Sequence, residues 1–135
     1  MTRIRIQTAV PYEVEIGAGV SAAAPQFVRE TLSRARKVAV VTDSNLEPLH
    51  AASVVAGFSA AGFETETFVV PAGERSKTLA TYGSILDFLA AHRLDRTDVV
   101  VALGGGVTGD MAGFHKVGTD RMGQGAYGKE SGLCI

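Results

Sequence analysis

Tryptophan is absent from this 135-residue sequence, and cysteine occurs once, at Cys134. A single cysteine excludes an internal disulfide framework and any zinc site built from several thiolates. The histidines, His50, His92 and His115, are isolated, and no His-Glu-x-x-His or similar spacing joins them. Excess charge is lacking too: 13 basic residues against 14 acidic ones leave a net charge of −1, which argues against a general nucleic-acid surface. No apolar run approaches the roughly 20 residues of a membrane span. The longest, such as 99–103, are strand-sized, and no apolar segment of a secretory signal follows Arg3 and Arg5. These absences leave an intracellular soluble domain with the cytoplasm as its default location, without membrane or nucleic-acid partners.

What is present is an ordinary globular composition, 46% apolar and 20% charged, in about one domain's length. Glycine is the exception, because ten of the 16 glycines fall in residues 104–135. Arg3–Gln7 and Tyr12–Ile16 alternate in polarity and can pair as a half-buried hairpin. Lys37–Thr42 is a β-branched run suited to burial on both faces of a sheet. Residues 46–61 carry Leu49, Val54, Val55 and Phe58 near helical spacing, with Pro48 where a helix start tolerates it. Phe63–Val70 reads as a strand. Ser76 can cap a helix on which Leu79, Tyr82, Leu86 and Leu89 share a face, and Asp98–Leu103 is a further buried strand. The pattern predicts an α/β fold, a Rossmann-like open parallel sheet with helices on both faces plus the amino-terminal β-hairpin.

Ligands of such sheets sit beyond the carboxyl ends of the strands, so three segments stand out. Gly104-Gly105-Gly106-Val107-Thr108-Gly109-Asp110 has G-x-G-x-x-G spacing after a strand. Residues without Cβ let backbone amides approach a pyrophosphate, and a helix N-terminus adds partial positive charge. The plain alternative is a glycine turn required only for strand–helix packing. Asp43, with Asn45 nearby, can hold a ribose diol or can simply cap the next helix. In Pro71-Ala72-Gly73-Glu74-Arg75-Ser76-Lys77, Lys77 can counter a phosphate and Glu74 can hold a ribose or amide. The plain alternative there is a surface Glu74–Lys77 ion pair worth about 0.3 kcal/mol. Asp110 can cap its helix or orient the far half of a dinucleotide. Cys134 reads as a solvated thiol.

Taken together, Tyr12-Glu-Val-Glu-Ile-Gly17, Val40-Val-Thr-Asp-Ser-Asn45-Leu-Glu-Pro48-Leu, Val70-Pro-Ala-Gly-Glu-Arg-Ser-Lys77-Thr-Leu79, Ile85-Leu-Asp-Phe-Leu-Ala and Arg96 to Phe114 resemble the NAD-binding domain of 3-dehydroquinate synthase over roughly residues 10–114. The resemblance implies a shikimate-pathway lyase that converts the seven-carbon keto sugar-acid phosphate DAHP into 3-dehydroquinate with loss of phosphate. It implies NAD used catalytically, a divalent metal (zinc or cobalt) and a homodimer. It places Asp43 and Asn45 at the adenosine ribose, Glu74 and Lys77 on the nicotinamide and substrate side, and Gly73 among the cofactor-binding residues. Gly105, Gly106, Val107 and Asp110 would wrap the pyrophosphate and reach toward the ring, with Thr108 and Gly109 also in the cofactor site. Sugar-phosphate cyclases such as 2-deoxy-scyllo-inosose synthase, and metal-dependent glycerol dehydrogenases, share this domain. A non-catalytic nucleotide-binding module is the reading from another class.

After Phe114 the pattern changes. Gly118, Gly123, Gly125, Gly128 and Gly132 would each weaken a helix by about 1 kcal/mol relative to alanine. The expected division is an NAD-binding α/β domain over 1–114 and a glycine-rich, poorly ordered tail over 115–135. The family's second, helical domain, with its metal ligands of one Glu and two His, has no counterpart here. That reads as a truncated or frameshifted amino-terminal portion, inactive alone.

Overall fold

The computed structural model describes residues 2–9, 11–112 and 132–135. Its main sheet has four parallel strands in the order β4-β3-β5-β6, where β3 is Lys37–Asp43, β4 is Glu64–Val70, β5 is Val99–Leu103 and β6 is Gly132–Cys134. β3 and β5 lie inside, and Val38, Val40, Val41, Val99 and Val101 are wholly buried. β-Branched side chains stiffen the extended backbone, and each contributes roughly 1.5–3 kcal/mol by leaving water. β4 lies at an edge, which accounts for its alternation: Glu64 and Glu66 stay exposed while Val70 is buried.

Helices cover both faces, as the pattern predicts. Ala24 and Val28 of α1 (Ala24–Thr31) and Phe58 of α2 (Ala52–Ala60) pack with Val38, Val40, Val99, Val101 and Leu103 on one side. Ile85 and Leu89 of α3 (Leu79–Ala91), with Met111 and Ala112 from the helical residues 106–112, pack with Ala39, Val41, Val100 and Ala102 on the other. The sequence pattern does not single out α1, a two-turn helix with Pro25 in its first turn. Residues 47–51 form a π-helical turn before α2, with Pro48 at its start.

Three expectations need correction. The cap of α3 is Thr78, whose side chain accepts the Thr81 amide at 3.2 Å; Ser76 lies in a short turn before it and donates to the Pro71 carbonyl. Leu79 is 83% exposed, and the buried residues of α3 are Ile85 and Leu89. The hairpin of β1 (Thr2–Ile6) and β2 (Tyr12–Ile16) forms, but as a separate antiparallel sheet with Ile4, Val14 and Ile16 exposed rather than half-buried. Its charged side, where Arg3 donates to Glu15 at 2.6 Å, borders a groove with Gln26, Phe27 and Glu30 of α1.

Residues 113–131, with most of the expected disordered tail, lie outside the described residues, but Gly132–Cys134 form β6 in parallel register with Val100–Ala102. The Ile135 amide donates to Ala102 at 2.8 Å, and the Gly104 amide donates to Ile135 at 3.1 Å.

Two buried polar groups behave oppositely. Asp98, only 4% exposed, accepts the amides of Arg36, Lys37 and Asp95 at 3.2, 3.0 and 3.0 Å, tying the start of β3 to that of β5. Thr42, fully buried in β3, has no hydrogen-bond partner for its hydroxyl among the described residues. An unpaired buried hydroxyl costs about 1–3 kcal/mol, whereas an isosteric apolar group costs nothing of that kind. Thr42→Val is therefore expected to raise stability by about 1 kcal/mol in urea unfolding. A loss of stability would mean that the hydroxyl has a bonded partner.

Candidate functional site

The parallel register brings three loops to one edge. Asp43 stands opposite Val70, so the turn after β3 lies beside the Pro71–Lys77 loop, and Thr42 stands opposite Leu103, so the glycine loop lies on the other side. Each loop is then fixed by its own chemistry.

Asp43 is half-buried, and its Oδ1 accepts the amides of Asn45 and Leu46 at 2.8 and 2.9 Å. The capping role weighed for it in the sequence is realised through one carboxylate oxygen. Asn45 is exposed beside it. The next loop turns at Gly73, whose φ of +107° lies where side chains are strained, and is closed by buried Ser76 on the Pro71 carbonyl. That closure leaves Glu74 and Lys77 exposed on the rim.

The charged pair differs from the one the spacing suggests. Lys77 Nζ donates to Asp110 Oδ2 at 2.9 Å, joining the β4 loop to the helix after the glycine loop, 33 residues further on. The two side chains are 47% and 62% exposed, so the pair is solvent-screened and fixes geometry more than stability. The hydrogen bond to Asp110, then the charges of Asp110 and Glu74, push the Lys77 pKa above its ordinary 10.5. Any stabilisation that Lys77 gains from these partners is fully present below pH 10.5 and is lost as pH rises through the higher folded value. Lys77 is thus a fixed cation throughout the neutral range.

The glycine loop divides by function. Gly104 has φ +154°, and a Cβ there would meet Thr108 Oγ1 at 3.0 Å and Leu46 Cδ1 at 3.3 Å. Its bareness serves packing, as the plain alternative holds. At Gly105 and Gly106 a Cβ would meet nothing within 4 Å, and neither has a positive φ. Neither strain nor packing among the described residues requires glycine at those two positions. The Gly109 amide reaches the Gly105 carbonyl at 3.0 Å, so the helix begins here, and its first amides have no partner in the preceding turn.

Of the residues singled out in the sequence, Asp43, Asn45, Gly73, Glu74, Lys77, Gly105, Gly106 and Asp110 therefore line one strand-end rim. Val107 is half-buried, and the Thr108 side chain is buried against Gly104. Ser44 is not among the site residues the sequence points to, yet its Oγ accepts the Ala72 amide at 2.9 Å. A hydroxyl at a strand end was the available signal. Among the described residues no three His, Cys, Asp or Glu side chains gather to hold a metal ion, and no helix is long and apolar enough to cross a membrane.

An open parallel sheet, helices on both faces and a glycine turn at its carboxyl edge define a Rossmann-like domain. Within that class the chain is a homologue of the amino-terminal part of 3-dehydroquinate synthases. Residues 67–121 match the family model for the 3-dehydroquinate synthase N-terminal region, so the resemblance continues past Phe114, where the sequence pattern changes. The 3-dehydroquinate synthases of Symbiobacterium thermophilum and Enterococcus faecalis are each 44% identical over 103 residues, 76% of this chain and 29% and 28% of theirs. The chain spans less than a third of the length of these curated relatives. The solved structure of 2-deoxy-scyllo-inosose synthase complexed with carbaglucose-6-phosphate, NAD+ and Co2+ is similar in fold. Its TM-score is 0.79 at 20% identity, covering 99% of this chain and 34% of that one. The structure of 2-epi-5-epi-valiolone synthase from Streptomyces hygroscopicus with NAD+ and Zn2+ bound has a TM-score of 0.65 at 25% identity, over 83% of this chain and 30% of that one.

Proposed function

We propose that the chain carries the NAD-binding part of a 3-dehydroquinate synthase, a cytoplasmic and homodimeric enzyme of the shikimate pathway. The observation that carries this reading is the pair Gly105 and Gly106, bare where neither backbone strain nor packing requires it. A phosphate lying directly on the backbone supplies the missing reason.

The residues fit a dinucleotide in one orientation. Asp43, with its second carboxylate oxygen, and Asn45 would hold the adenosine ribose. The amides of Gly105 to Gly109 would face the pyrophosphate, with Gly73, Glu74, Lys77 and Asp110 toward the nicotinamide and substrate. When bound, NAD supplies reversible hydride transfer at a substrate alcohol. The chain's own residues bind and orient: Lys77 presents a fixed positive charge to a phosphorylated keto sugar acid such as DAHP, and Asp110 holds that ammonium in place. The described residues do not fit the zinc or cobalt that the family uses. That metal, and the substrate contacts that go with it, belong to the part of the relatives that this chain does not span.

The 135-residue polypeptide by itself is accordingly expected to bind NAD weakly and to release no phosphate from DAHP. Purified chain is incubated with NAD, zinc and DAHP, and phosphate is followed colorimetrically. A rate above the protein-free control would overturn the inactivity of the part taken alone.

A further inference from the structure

The geometry points to Ser44 as a positioning residue that sets the separation between the two poles of the proposed NAD site, an inference that rests on the functional reading above. Ser44 bonds across the strand ends twice. Its amide donates to the Val70 carbonyl at 2.9 Å, and its Oγ accepts the Ala72 amide at 2.9 Å. On one side lies Asp43, whose carboxylate holds the amides of Asn45 and Leu46 and so fixes the turn in which Ser44 sits. On the other side lies Pro71, whose carbonyl takes the Ser76 hydroxyl next to Lys77, and Lys77 reaches Asp110.

These hydrogen bonds, joined by covalent neighbours along the chain, connect Asp43 to Asp110 through three loops that are remote in sequence. The amide bond of Ser44 extends the β3–β4 ladder, and any residue supplies it. The hydroxyl bond joins the turn that carries the ribose pole (Asp43, Asn45) to the loop that carries the nicotinamide pole (Glu74, Lys77). A ligand touching both poles gains from a fixed separation, because the loops are then ordered before it binds. A ligand held mainly at the ribose and pyrophosphate gains little.

The test compares NAD with ADP-ribose, which lacks the nicotinamide, by calorimetry on the wild-type chain, Ser44→Ala and Ser44→Thr. Losing one hydrogen bond of ordinary strength corresponds to a roughly three- to tenfold change in affinity. Ser44→Ala is expected to weaken NAD by that factor and ADP-ribose by less than about twofold. Ser44→Thr, which keeps the hydroxyl, should restore NAD binding, and the thermal midpoints should stay together. A structural role alone would weaken both ligands equally. Equal losses, or an unchanged NAD affinity in Ser44→Ala, overturn the positioning role and leave the NAD reading intact. A wild-type chain that binds neither ligand overturns the NAD reading, and the role of Ser44 with it.

Discussion

Gly104→Val is expected to destabilise the chain by about 3 kcal/mol, while Gly106→Ala one turn of loop away leaves stability unchanged or raises it by up to about 1 kcal/mol. At Gly104 two costs combine. The backbone holds φ at +154°, which a β-branched residue adopts only under strain, and the new Cβ would lie 3.0 Å from Thr108 Oγ1, 3.2 Å from Thr108 Cβ and 3.3 Å from Leu46 Cδ1. Thr108 is buried and helical, so it has little room to give. Gly106 starts a helix, has no positive φ and faces open space, so alanine there improves helix propensity. The two variants should part the other way in NAD binding. Gly106→Ala is expected to lose about tenfold or more in affinity while remaining folded, because its methyl stands where a phosphate would meet the backbone. Urea unfolding and calorimetry read the two effects separately. A Gly106→Ala chain that binds NAD as the wild type does would remove the main support for the phosphate site.

Asp98→Ala is expected to cost about 4 kcal/mol, much of the 5–15 kcal/mol available to a typical domain. Its carboxylate is 4% exposed and accepts three backbone amides, from Arg36, Lys37 and Asp95. Each bond to an ionised acceptor contributes roughly 1.5–3 kcal/mol, and the three are not additive because one group makes them all. Truncation leaves three part-buried amides without their acceptor at the entrance of β3 and just before β5, the two strands inside the sheet. Asp98→Asn keeps one acceptor oxygen and should lose about half as much. The denaturation midpoint measures both, and a loss below about 1 kcal/mol for alanine would show that water replaces the carboxylate at no cost.

The sheet and its loops were legible because their signals are local. A β-branched run such as Val38–Val41 has no stable alternative to a buried strand, and Asp43 followed by Ser44 and Asn45 is turn chemistry wherever it stands. What escaped was set by contacts remote in sequence. The partner of Lys77 is Asp110, 33 residues away, rather than Glu74, three away, because β4 and β5 end side by side across β3. Asp98 reads as the first residue of a strand, and only the fold shows that it gathers amides 61 and 62 residues earlier. Thr78 rather than Ser76 caps the helix because Ser76 closes a separate short turn over Glu74–Ser76, and α3 starts only at Leu79. β6 is a three-residue strand in a glycine-rich stretch, and its signal comes from the open edge of β5 rather than from its own composition.

Titration of the 135-residue chain with NAD by calorimetry tests most directly whether the strand-end rim holds a dinucleotide. The expected result is saturable binding weaker than about 1 μM, as suits half of a site, abolished in the Lys77→Ala, Asp110→Ala double variant at unchanged thermal midpoint. Sub-micromolar binding would contradict the half-site. No saturable binding by the wild-type chain, or equal binding by the double variant, would contradict the site itself.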